Sequence, residues 1–98
     1  MRLKPIRRSA RQRAVVDATV AAYSEWRREC AAVRNAYRSW ASARAEDKPL
    51  AFVAYNAALD REEGAARLYA RLMRRAGHVA ETGLARQLAQ IQISSGAR

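Results

Sequence analysis

VDATVAAYSEWRRECAAVRNAYRSW, residues 16–40, carries two interleaved seven-residue series. Val16, Tyr23, Cys30 and Tyr37 form one, and Thr19, Trp26, Val33 and Trp40 form the other, offset by three. An a/d pattern held for more than three heptads marks a long helix packed against another along one stripe. Ala22, Ala36 and Ala43 flank the stripe on one side, and Arg27 and Arg34 on the other.

Working outward, Ser9 and Gln12 have capping-box spacing, so the first helix is expected over about 9–45. Pro5 keeps Lys4 out of helical geometry and leaves residues 1–8 as a basic arm. Arg44-Ala45-Glu46-Asp47-Lys48-Pro49 is the one clear break. Asp47 can cap a second helix with Pro49 in its first turn. That helix is expected over about 48–78, with Phe52, Leu59, Ala66 and Met73 in one series and Tyr55, Glu62, Tyr69 and Ala76 in the other. Gly77 and Gly83 mark an exit. Residues 81–98 then form a short helix around Leu84, Leu88 and Ile91 and a flexible tail.

A short loop between two long helices predicts an antiparallel hairpin over 9–80, in an all-α, coiled-coil-like fold. With the turn centred near residue 47, facing residue numbers sum to roughly 95. Trp40 then meets Tyr55, Trp26 meets Tyr69, and Val33 lies near Glu62. Glu62 is the misfit in this seam. Either a local shift in register releases it to solvent, or it is a polar residue that sets register or partner, with Arg34 close enough to pair.

Composition agrees with a thin helical assembly. Of 98 residues, 23 are Ala, whereas Phe occurs once and Ile three times. Such a chain fills a narrow seam, not a thick core. Two helices alone bury one face each. Dimerisation into a four-helix bundle would cover Tyr23, Trp26, Tyr37 and Trp40, so a homodimer is expected.

The net charge is +10, and Arg outnumbers Lys 17 to 2. Nearly all of the excess lies in residues 1–16 and 67–98, while the middle is almost neutral. An antiparallel hairpin brings both basic segments to one pole. Arg7, Arg8, Arg11 and Arg13 would join Arg67, Arg71, Arg74, Arg75 and His78 there. Guanidinium groups crowded this way repel one another, and phosphate backbones neutralise them with release of counterions. The expected function is therefore non-specific contact with nucleic-acid phosphates. The alternative is a non-enzymatic interaction module (an adaptor, assembly component or inhibitor) that docks on an acidic protein surface.

A basic arm leading into heptads resembles a basic-zipper protein, but the Asn and Ala pattern of that family's basic region is absent. No aromatic lies among the arm's bases to stack on single-stranded bases. Two heptad helices with a tryptophan near the turn also resemble the small helical-hairpin secretion substrates of the WXG100 family. The motif here reads Trp40-Ala41-Ser42, with Ser where that family has Gly, and no functional residue is carried over.

Enzyme chemistry finds no foothold. His78 is the sole histidine, and Asp60, Glu62 and Glu63 have no His within a turn or two to complete a metal site. No phosphate loop or nucleophile motif occurs, and no cofactor is implied. Cys30 is alone, so an internal disulfide is impossible. On an apolar face it reads as a small hydrophobe, with an intermolecular bridge or a reactive thiol as alternatives. No apolar run approaches the ~20 residues of a membrane span, and the start lacks a signal-peptide core, so a cytoplasmic location is expected, with export by a route that needs no cleaved signal as the alternative.

Overall fold

The computed structural model describes residues 9–96 as two α-helices, α1 over Ala10–Ser42 and α2 over Lys48–Gly96. They pack against each other as an antiparallel hairpin measuring 82 × 23 × 17 Å. The basic arm assigned to residues 1–8 lies outside the described residues.

The start of α1 follows its sequence signal. Ser9 N–H donates to Gln12 Oε1 at 2.8 Å, and Gln12 N–H donates to Ser9 Oγ at 3.1 Å. This reciprocal pair satisfies donors that the first turn leaves without helical partners. At the other end α1 stops at Ser42, three residues before the expected 45. Lys48 accounts for the early stop. Its Nζ donates to the carbonyls of Trp40 and Ala41, at 3.0 and 3.4 Å, and lies 5.5 Å from the Trp40 ring centre. A cation on the last carbonyls favours ending a helix there. The Arg44 carbonyl then accepts from the amides of both Asp47 and Lys48, and the Asp47 carbonyl accepts the amide of Ala51 to open α2.

The larger departure is at the far end of α2. Its 49 residues run unbroken through Gly77 and Gly83, where an exit near 78 and a separate short helix were expected. Neither glycine adopts positive φ. A glycine that keeps helical angles costs only about 1 kcal/mol against Ala, and no proline follows to enforce a stop. The strong helix formers of 84–92 carry the helix onward.

The register follows the expected sum. Trp40 stacks on Tyr55 at 5.8 Å and 17°, and Trp26 stacks on Tyr69 at 5.7 Å and 16°. The series containing these residues stays in the seam, with Val33 also half-buried. The other series is displaced by one residue on both helices. Val15, Ala22 and Ala58 are the buried apolar side chains, and Thr19 is the buried polar one. The seam runs through 15, 22, 29 and 36 on α1 and 51, 58, 65 and 72 on α2, so the expected Val16/Tyr23/Cys30/Tyr37 and Phe52/Leu59/Ala66/Met73 lines shift to its edge. Tyr23, Tyr37, Phe52 and Met73 remain 44, 50, 47 and 51% exposed, and Leu59 is half-buried.

Side-chain size explains the displacement. Alanines between the stacked pairs let the helices approach closely, which the tryptophan–tyrosine stacks require. The edge tyrosines close those stacks from one side while staying about half exposed. Tyr23 lies 6.2 Å from Trp26 and 5.4 Å from Tyr69, and Tyr37 lies 6.0 Å from Trp40 and 5.7 Å from Tyr55. Phe52 adds a ring 5.7 Å from Trp40.

Glu62 stays in the seam. Its Oε1 accepts from Trp26 Nε1 at 2.8 Å and lies 4.0 Å from Cys30 Sγ. The thiol and the indole, one and two turns from the expected Val33 neighbour, are therefore its partners in place of Arg34. Glu29, also on the seam line, accepts from Arg61 Nε across the helices at 3.2 Å. Among the described residues no helix is long and apolar enough to cross a membrane.

Candidate functional site

Chain direction places the start of α1 beside the later part of α2, at the end of the hairpin opposite the turn. The structure separates the expected basic residues, with Arg75 exposed beside the seam on α2. Arg7 and Arg8 lie outside the described residues. Arg67, Arg71 and Arg74 are exposed and, by their helical phase, face away from α1. Arg13 is exposed and points from α1 to the opposite flank from Arg11.

Arg67 does not belong with the pole. The register sets it level with Arg28, well along toward the turn, and its Nη2 donates to Glu63 Oε1 at 2.6 Å. Arg28 is likewise paired, with Glu25 at 3.1 Å. By contrast, among the described residues no carboxylate pairs with Arg11, Arg71, Arg74, Arg75 or Arg86. Asp17 and Glu81 lie at this end as well, but the bases outnumber them and the balance stays positive.

Between the two helices at this pole is a notch of about 110 Å³. Arg11 from α1 and His78, Thr82 and Arg86 from α2 supply its polar wall. Ser9 and Gln12 on α1 and Val79 and Gly83 on α2 complete its lining. Gly83 contributes to this shape, because a Cβ there would push aside the side-chain amide of Gln12. The Gln12 amide is held in place by its capping contact with Ser9, so cap and notch share one residue. The Thr82 hydroxyl donates to the His78 carbonyl at 2.9 Å, which leaves its oxygen lone pairs toward solvent.

A second, apolar cleft of about 140 Å³ lies nearby, bounded by Val15, Val16, Ala76, Val79 and Ala80. Small residues on α2 leave both spaces open.

Arg86, Thr82, Ser9 and Gln12 were not singled out as site residues from the sequence. The signal was available in the register. Ser9 with Arg86, and Gln12 with Gly83, obey the same sum as the two tryptophan–tyrosine pairs. Ending α2 near 78 removed Arg86 from consideration. Among the described residues no group of His, Cys, Asp and Glu side chains could hold a metal ion. Comparison of the chain with protein families, with curated proteins and with solved structures gives no match in any of the three.

Proposed function

We propose that this protein is a small, non-enzymatic, cytoplasmic binding protein that contacts nucleic-acid phosphates without sequence specificity through its arginine-rich pole. One observation carries the reading. Arg11, Arg71, Arg74, Arg75 and Arg86 gather toward one end without carboxylate partners among the described residues; Arg27, Arg34, Arg38 and Arg44 are unpaired there too, but are spread along α1 and the turn. Unpaired guanidinium groups gain most from phosphate, which offers each a bidentate acceptor. The residues lie on several faces of the pole, which suits contact with a curved backbone and gives no groove-reading element.

The test is duplex DNA and RNA affinity as a function of salt. Each phosphate contact is expected to contribute about 0.9 to the log–log salt slope on B-DNA. Replacing Arg71, Arg74 and Arg75 by Gln should lower that slope by up to ~2.7 and weaken all sequences equally. Absence of binding at low salt sinks the reading.

A second reading, a protein-interaction module, draws on a different observation. Val20, Tyr23, Tyr37, Phe52 and Met73 are exposed along one flank of the hairpin. A second copy covering that flank would give the four-helix homodimer, and an acidic partner helix would complement the charge as well. Sedimentation equilibrium decides between them: a strictly monomeric protein removes the homodimer.

A further inference from the structure

We infer that the notch between Arg11 and Arg86 is a binding site for a single phosphate group, and that its occupancy fastens the open end of the hairpin. The inference rests on the phosphate-binding reading of the pole and assigns it one structured contact.

The argument begins with charge. Arg11 and Arg86 come from different helices and line one notch, so with no ligand they repel each other across the seam. No acid lines the notch, and neither arginine has a carboxylate partner among the described residues. An anion placed between them converts that repulsion into two charge-assisted contacts.

Size and chemistry narrow the ligand. A notch of about 110 Å³ that opens to solvent has room for one phosphate group, with the rest of any larger ligand outside it. The wall offers donors: two guanidinium forks, the imidazole of His78 and the side-chain amide of Gln12. Gly83 leaves room for the Gln12 amide, which a side chain at that position would displace. The site is thus built from both helices and exists only where they meet.

Mechanical consequences follow. Among the described residues no further aromatic pair holds this end beyond the Trp26–Tyr69 stack, and two unfilled spaces flank its seam. A ligand bridging α1 to α2 adds a cross-link where packing supplies least. Binding and closure of the open end are therefore linked, and each favours the other.

The experiment is an amide NMR titration of the full chain with inorganic phosphate against chloride at constant ionic strength. A second arm uses a short duplex. Saturable shifts are expected at Gln12, Thr82 and Gly83, with slowed hydrogen exchange in the turns around them. Arg86→Gln and Arg11→Gln should each weaken phosphate binding by about tenfold, the equivalent of about 1.4 kcal/mol, while Arg71→Gln should not change it. Circular dichroism checks that the variants keep their helicity. If either frays, Arg86→Lys, which retains charge without the fork, should still bind more weakly than wild type.

Linear, non-saturating shifts in the wild-type protein overturn the inference, as does an equal loss in Arg71→Gln. The two readings fail separately. A duplex that binds while phosphate leaves the notch unshifted removes the notch alone. A notch that saturates with phosphate while the duplex does not bind removes the nucleic-acid reading and leaves a site for free phosphate.

Discussion

The half of the hairpin nearest the turn and its open half are made of the same two helices but are held by different means. Near the turn, Trp40 and Trp26 stack on Tyr55 and Tyr69, with Tyr37, Phe52 and Tyr23 closing the edges. Glu62 accepts the Trp26 indole N–H, and Arg61 reaches Glu29 across the seam. Toward the open end the contacts shrink to Val15, Thr19, Leu72, Ala76 and Val79, with voids on either side. The Thr19 hydroxyl, bonded to the Val15 carbonyl at 2.7 Å, also approaches the Leu72 carbonyl at 3.4 Å. Aromatic and polar cross-links determine register in the first half. The second inherits it, and has room left for a ligand.

Breaking the strong half should have the largest effect. Trp26→Ala removes the stack on Tyr69 and leaves the Glu62 carboxylate without its indole donor. A loss of about 3–5 kcal/mol is expected in chemical denaturation, because cavity and unpaired-acceptor costs act together. Trp26→Phe separates them: it keeps most of the ring and should lose about 1.5–3 kcal/mol if the charge-assisted hydrogen bond matters. A Trp26→Ala protein as stable as wild type would show that the two halves do not differ as described.

Strengthening the weak half is the converse. Ala80→Leu adds three carbons beside the apolar cleft that Ala80 lines. At about 0.8 kcal/mol per buried CH₂ and partial burial, stability should rise by about 1–2 kcal/mol. Hydrogen exchange should slow around Val15 and Val79 and stay unchanged at Trp40. A uniform slowing along the chain would mean that the hairpin opens as one unit.

The smallest and most discriminating comparison is between two glycines one and a half turns apart. A Cβ at Gly77 meets nothing within 4 Å, whereas at Gly83 it meets Gln12. Gly77→Ala should stabilise by about 0.5–1 kcal/mol through helix propensity alone. Gly83→Ala should forfeit that gain, because displaced Gln12 loses its capping contact with Ser9. Equal melting temperatures for the two variants would deny Gly83 its part in shaping the notch.

Much of the architecture was legible because it depends on local rules. The Ser9–Gln12 cap, the break before Pro49 and the Trp–Tyr register follow from spacing alone, and each appears in the structure. Three features were not legible. The seam shifts onto the alanines because close approach favours small residues, which a hydrophobicity pattern ranks below tyrosine and phenylalanine. α2 passes Gly77 and Gly83 because a glycine ends a helix only if the backbone turns left-handed there, and these two do not. Glu62 stays inside because the Trp26 indole N–H donates a hydrogen bond to it, a contact that needs both helices in place.

The basic pole divides in the same way. The sequence by itself determined that the chain is a helical hairpin and that its arginines crowd toward the open end, since heptad period, turn chemistry and charge position are properties of the chain order. Tertiary structure alone decided which arginines share a surface. Helix phase turns Arg13 away from Arg11, the register draws Arg67 toward the turn, and the unbroken length of α2 delivers Arg86 to face Ser9. Those outcomes depend on how two helices rotate and extend against each other. That is set by the sizes of side chains meeting across the seam, which neither helix specifies alone.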